Sequence, residues 1–118
     1  LMTLGMTTER VEVEGFIFEI GTLSEKESSE LLSSLIVLEE RDRIIASKSH
    51  SVAMSIKKIN DMDFDFIVEN SEIIPEDIVT NASKKIFFVK SLQMSVVNKL
   101  FEKYTEMNKI LEEEDKKK

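Results

Sequence analysis

The sequence predicts a mainly α-helical domain of the α+β class, in which an N-terminal β-hairpin precedes three to four amphipathic helices. Over much of the chain, apolar residues recur every three or four positions, which is the period of an amphipathic helix. The segment 10–21 instead alternates apolar and charged residues. The 118 residues include only three Gly and one Pro, so little interrupts long elements, and the length fits one domain over 1–118.

The composition argues against several classes of function. A net charge of −7 disfavours a nucleic-acid partner, because phosphate binding needs an excess of Lys and Arg. The chain has no cysteine, which excludes disulfides and thiolate metal sites. Its apolar runs are at most four residues long, too short for a membrane span, and we expect a cytoplasmic protein.

The first predicted element is the β-hairpin over 10–21. Val11 and Val13 alternate with glutamates, and the alternation resumes after Gly15 in the sequence FIFEI. Gly15 supplies the positive φ that a tight two-strand turn requires. Such a hairpin is marginally stable by itself, so we expect its apolar face to pack on the helices.

A capping box at Ser24–Glu27 predicts the start of the next helix. Apolar residues then recur at helical spacing from Leu31 as far as Ile59. Either one helix runs from Glu25 to Ile59, or two helices meet at the charged run 39–43. Unbroken globular helices of that length are uncommon, which favours the break.

The second half of the chain predicts a short extended segment and two helices. Residues 61–68 alternate aspartates with apolar side chains, which indicates an extended segment that places its aromatic residues under the helices. Pro75 and the acidic residues after it predict a helix start. The inner side of that helix would comprise Val79, Ala82, Ile86 and Val89.

The longest amphipathic stretch, 92–111, predicts the last helix, before a charged tail over 112–118. Its apolar stripe is partly core, but an apolar strip with an accessible methionine and aromatics also suits partner binding. We therefore predict that this stripe binds a helical protein partner or a second copy of the chain. The predicted partner-binding residues are Val97, Leu100, Phe101, Tyr104, Met107 and Leu111.

A calcium loop is a weaker prediction for the aspartate-rich segment. Asp61, Asp63, Asp65 and Glu72 occupy loop positions at which an EF-hand carries calcium ligands. Phe66, however, stands where that loop turns on a glycine, and a phenylalanine at positive φ is strained. The preferred interpretation is an ordinary solvent-facing row of aspartates.

His50, the only histidine, raises the question of a Ser/His/Asp hydrolase with Asp42 or Asp61. The sequence has neither a strained nucleophile turn nor a glycine-bearing oxyanion loop, so we interpret His50 as a surface or helix-packing residue. No Gly-rich phosphate loop is present. We expect neither enzyme activity nor a cofactor.

Four segments between residues 11 and 111 stand out together, namely VEVEGFIFEI, GTLSEKESSELL, RDRIIASKSHSVAMSIKKIND and SLQMSVVNKLFEKYTEMNKIL. The last contains Val-Val-x-x-Leu-Phe-x-x-Tyr over 96–104. In this order the segments resemble the small tail-assembly proteins of long-tailed bacteriophages, namely the tail assembly chaperones and the baseplate-hub assembly proteins.

The resemblance implies a non-enzymatic protein that binds the helical tape-measure protein or another tail protein, in the host cytoplasm or in the virion tail. It implies neither nucleic acid nor membrane as a partner. The alternative is a small acidic module of a bacterial host, which binds calcium or regulates another protein through the same kind of helical surface.

Overall fold

The computed structural model describes residues 7–116, and the side chains of residues 7–109. Over this range the chain forms an antiparallel four-stranded sheet and five helices, so the predicted α+β class with an N-terminal hairpin is confirmed. The predicted side chain of Leu111 and the charged tail 112–118 lie outside the described side chains.

The hairpin comprises β1 (Thr8–Val13) and β2 (Phe16–Gly21). Its two turn residues, Glu14 and Gly15, have φ of 54° and 83°. Both values are positive, as a two-residue turn that matches the strand twist requires. The predicted role of Gly15 is confirmed.

Two further strands complete the sheet, the first in a segment predicted to be helical and the second within the segment predicted to be extended. β3 (Ile56–Ile59) pairs with β2, and β4 (Met62–Asp63) pairs with β3. The prediction of helix up to Ile59 is therefore wrong, because the backbone of this segment bonds to β2 instead. Asn60 forms the turn and strengthens the pairing: its Oδ1 accepts the Ile17 N–H at 2.9 Å and its own N–H donates to the Ile17 carbonyl at 2.7 Å.

The sheet has one apolar and one charged face. Val13, Phe18, Ile20 and Ile56 are buried under the helices. On the other face the strand register aligns one charged residue from each strand in alternating sign, namely Arg10, Glu19, Lys58 and Asp63. Opposite charges on neighbouring strands favour this register, and a slip by one residue would bring charges into the core.

The region between the hairpin and β3 forms two helices, as the favoured alternative predicts. α1 (Glu25–Ile36) begins at the predicted capping box, with both reciprocal bonds between Ser24 and Glu27 present. α2 (Glu40–Ser55) starts after a break at residues 37–39. α2 contacts α1, α4, α5 and β3, which makes it the central helix.

The prediction of an extended segment over 61–68 is wrong beyond β4, because residues 64–69 form helix α3 (Phe64–Glu69). Phe64 and Val68 are buried, whereas Phe66 is exposed. Side chains four apart share a face in a helix and also in a strand, so the pattern alone does not distinguish the two.

The helix predicted from Pro75 begins six residues later, as α4 (Asn81–Lys90). Thr80 caps it, accepting the Ser83 N–H at 3.2 Å on its hydroxyl oxygen. Val79 consequently lies outside the helix and is exposed, which corrects its predicted place on the inner side. The other predicted inner residues are half-buried or buried, namely Ala82, Ile86 and Val89.

The last helix, α5 (Met94–Lys116), covers most of the predicted stretch. It packs on α2 and on the first two strands, and Leu100 is fully buried there. No helix within residues 7–116 is long and apolar enough to cross a membrane.

α1 differs from the other helices because none of its twelve residues is buried. Its apolar packing on the core comes from half-buried side chains such as Leu31, and polar contacts add to it. Glu27 forms an ion pair with Lys57 at 2.5 Å, and Ser34 Oγ lies 2.9 Å from His50 Nδ1. At its C-terminal end the Arg43 guanidinium donates three hydrogen bonds to carbonyl oxygens, those of Leu35, Ile36 and Leu38, at 2.9–3.1 Å.

We expect Arg43→Ala to lower the free energy of unfolding by about 1 kcal/mol, since it removes charge-assisted bonds that fix the α1–α2 corner. Hydrogen exchange should become faster in the last turn of α1. Denaturant unfolding and exchange mass spectrometry measure both effects. Lys26→Ala is the matched control, because Lys26 is an exposed cation of α1. Equal effects of the two variants would contradict the role of Arg43.

Candidate protein-binding groove

The structure uses most of the predicted partner-binding stripe inside the chain. Val97, Leu100 and Met107 are buried, so they are not accessible to a partner. Phe101 and Tyr104 are half-buried. An interface on α5 must therefore be sought where its accessible side chains meet α2.

A groove follows the seam between α2 and α5, and we call it the seam groove. It consists of three adjoining hollows of about 310, 480 and 360 Å³. Lys48 and Asn98 line both the first and the second hollow, and Phe101, Thr105 and Lys109 line both the second and the third. The hollows therefore follow one another along the seam, each sharing part of its lining with the next.

The first hollow is the most apolar part of the seam groove. Val89 and Val97, both buried, form its floor, while Ile45 and Met94 stand on its rim with 73% and 77% of their surface exposed. Such a pair of exposed apolar side chains over an apolar floor is typical of a binding surface rather than of a free monomer exterior.

Aromatic side chains line the other two hollows. Phe101 and Tyr104 lie with their ring centroids 6.3 Å apart. Lys48 lies across the groove, with Nζ 2.8 Å from Asn98 Oδ1, to which it donates, and 5.6 Å from the centre of the Phe101 ring. This cation–π contact covers Phe101 with a flexible side chain, which can move away when a ligand enters.

The charges of the seam groove differ from those of the whole chain. Among the side chains of residues 7–109, those with a charge that line the first hollow are two lysines, Lys48 and Lys90. Farther along, Glu102 and Glu106 accompany Lys109. In a chain of net charge −7, the first hollow thus favours an acidic ligand group.

A larger cleft of about 1280 Å³ lies between α1 and the start of α4. Its lining is mostly hydroxyl and charged groups, and the one apolar side chain in it is the small Ala82. Without large apolar side chains it offers little of the contact area on which tight binding depends. We therefore favour the smaller seam groove.

The four candidate calcium ligands do not come together. Asp61 forms an ion pair with Arg10 at 3.0 Å, and Asp65 forms one with Lys85 at 2.6 Å. The bond from Lys85 outweighs partial burial and lowers the pKa of the Asp65 carboxyl. Asp63 and Glu72 are exposed. Among residues 7–109, no three acidic or histidine side chains are grouped so that they could hold a metal ion.

His50 is a buried packing residue. Its Nδ1 lies 2.9 Å from Ser34 Oγ, and the Ser34 hydroxyl donates to the Leu31 carbonyl at 2.7 Å. With the single Ser34 hydroxyl hydrogen given to the Leu31 carbonyl, the imidazole N–H donates to Ser34, and this bond holds the ring against α1. Asp42 and Asp61, the proposed third members, lie instead beside Arg41 and Arg10.

Sequence reasoning named Val97, Phe101 and Tyr104, three of the residues that line the seam groove. It missed Ile45, Lys48 and Met94, which come from α2 and from the start of α5. The adjacent isoleucines Ile44 and Ile45 were the available signal for this surface. Neighbouring residues of a helix point in different directions, so a single buried stripe cannot take up both side chains.

Comparison with known proteins adds no assignment to this geometry. No family model, curated protein or solved structure matches the chain. The groove must therefore be interpreted from its own residues.

We expect millimolar calcium to leave the melting temperature unchanged, because the aspartates are separated and two of them already have cationic partners. A ligand that binds only the folded state raises the melting temperature. Differential scanning fluorimetry with calcium, and with magnesium as the control, measures this. A rise specific to calcium would show that a site forms after all.

We also expect acidification to destabilise the fold through His50. Burial, reinforced by the charge of Lys90, lowers the pKa of the imidazole below 6.5. The unfolded chain then binds the proton more readily, so the free energy of unfolding falls as the pH drops through about 6.5. Denaturant unfolding between about pH 7.5 and 5.5, above the range of ordinary carboxyl groups, measures the slope. His50→Gln should flatten it, and parallel profiles for the two proteins would contradict the assignment.

Proposed function

We propose that this chain is a non-enzymatic binding protein that holds an amphipathic helix of a protein partner in the seam groove. The observation that carries the proposal is the first hollow, whose apolar floor lies open between Ile45 and Met94. Exposed apolar surface costs about 25 cal/mol per Å² relative to burial, so a partner that covers this hollow is favoured.

The shape of the groove suits a helix. It follows α5 from Met94 to Lys109, which is about 22 Å at 1.5 Å per residue, or roughly four helical turns. An amphipathic helix binds such a groove through apolar side chains three and four positions apart. One apolar side chain of the partner helix would enter the first hollow, and the next apolar side chain would contact Phe101 and Tyr104.

The lysines at the first hollow define the partner further. Lys48 and Lys90 flank the apolar floor, so the partner helix should carry a carboxylate next to its first apolar side chain. Electrostatic complementarity of this kind sets orientation and selects partners more than it adds affinity.

The resemblance of residues 11–111 to phage tail-assembly proteins supports the biological setting that we propose. There the partner is the helical tape-measure protein or another tail protein, and binding takes place in the host cytoplasm. Covering the apolar face of a long helix before assembly prevents its aggregation. The net charge of −7 would keep the complex dispersed.

We expect Met94→Glu to weaken binding of an amphipathic helical peptide at least tenfold, because burying a methionine side chain contributes about 1.5–3 kcal/mol. Tyr104 is the only tyrosine and the chain has no tryptophan. A Leu/Glu amphipathic peptide without aromatic residues can therefore be titrated by following tyrosine emission. Val79→Glu is the control, since Val79 is equally exposed but does not line the groove.

Equal binding by the Met94→Glu and Val79→Glu proteins would refute the seam groove as the site. The phage setting has its own test. A tape-measure gene beside the gene for this chain, and co-purification of the two products on co-expression, are expected. Absence of either result would refute that setting and leave the groove to another partner.

A further inference from the structure

A second apolar surface lies at the α1–α2 corner, and we call it the corner patch. Its members are large aliphatic side chains that are 67–79% exposed, namely Leu32, Ile36, Val37, Ile44 and Ile45. They fall within the last two turns of α1, its C-cap residue and the first two turns of α2. Ile45 stands at the border between the corner patch and the seam groove.

The side chains of residues 7–109 leave the corner patch exposed. The bonds from Arg43 to the carbonyls of Leu35, Ile36 and Leu38 hold the end of α1 against the start of α2. Because these bonds fix the corner, the side chains of the corner patch cannot all move into the core. Scattered exposed aliphatic residues are ordinary, but five within one helix corner indicate an interaction surface.

The charges around the corner patch include both signs. Glu39 and Glu40 are exposed and form no ion pair among the described side chains. The side chain of Arg41 is 82% exposed, and its nearest carboxylate, that of Asp42, is 3.9 Å away, too far for a hydrogen bond. A border with unsatisfied charges of both signs can complement a copy of itself.

We propose that the corner patch is the surface through which two copies of this chain associate about a two-fold axis. In such an interface each surface meets its own equivalent, so Arg41 of either copy would lie near Glu39 and Glu40 of the other. A standard interface buries roughly 800 Å² per partner, so the pairing would use the corner patch together with its charged border. This pairing is independent of the partner proposed for the seam groove, apart from the shared border residue Ile45.

Sedimentation equilibrium over a concentration series tests the pairing. We expect the wild-type chain to approach twice its mass of 13.6 kDa and Ile44→Glu to raise the dissociation constant of the dimer at least tenfold. Ile36→Glu should act similarly, while Val79→Glu, at an equally exposed site elsewhere, should not. Circular dichroism checks that each variant is folded. Ile36 and Ile44 are both exposed, so their replacement leaves the core intact.

Charge reversal provides a test that is specific to the two-fold arrangement. Arg41→Glu by itself should weaken the dimer, and so should the pair Glu39→Arg and Glu40→Arg in one chain. A mixture of the two charge-reversed chains should associate again, because each then presents opposite charges to the other. If the substitutions only disturbed the fold of the corner, mixing the two charge-reversed chains would not restore the dimer.

A chain that stays monomeric at every concentration would overturn the pairing, and so would a dimer that is insensitive to Ile36→Glu and Ile44→Glu. Loss of peptide binding in those two variants of a monomeric chain would assign the corner patch to the partner instead. The seam groove is tested separately by Met94→Glu, which should reduce peptide binding and leave the dimer unchanged. The two proposals can therefore fail independently.

Discussion

The arrangement of this protein depends on how Arg43 closes the corner between α1 and α2. Helix α1 contributes no buried residue, so burial alone does not determine where it lies. The guanidinium in the first turn of α2 donates to the Ile36 carbonyl at the end of α1, to the Leu38 carbonyl just beyond it, and to the Leu35 carbonyl, which also accepts the Leu38 N–H. Together with the Glu27–Lys57 ion pair and the contact between Ser34 and His50, it adds polar bonds to the half-buried packing of Leu31. The apolar side chains of the corner consequently remain outside.

Two kinds of surface follow from this construction. The buried half of α2 fills the centre of the molecule and leaves its first two turns to project beyond the core. α5 then packs against α2 with its most apolar side, so that only the edge of its stripe reaches the seam groove. The groove has an apolar and aromatic lining with a few lysines, whereas the corner patch is aliphatic with a border of both charges. Because of these differences we assign a helical protein partner to the seam groove and a second copy of the chain to the corner patch.

The site could be predicted from the sequence only on the side that α5 contributes. Phe101 and Tyr104 belong to a regular helical stripe, and such a stripe shows which side chains share a face. It does not show which of them the chain's own core takes up, and Leu100 and Met107 are buried for that reason. Met94 comes just before the predicted stripe, and Ile45 lies 49 positions before Met94 in the sequence, so only packing brings the two onto one rim. The aspartates after β3 were likewise close in sequence but are directed to different lysine and arginine partners.

The sequence by itself determined the local features whose interactions lie within a few residues. These are the hairpin turn at Gly15, the capping box of α1 and the long amphipathic α5. Only the tertiary structure decided the fate of residues 56–59, which have helical spacing but form a strand, because bonds to β2 satisfy their backbone better than an isolated helix end would. It also decided which apolar side chains are buried and which are exposed. The physical reason is the same in both cases: hydrogen bonding between strands and apolar burial depend on neighbours that are distant in the sequence, and no local pattern contains them.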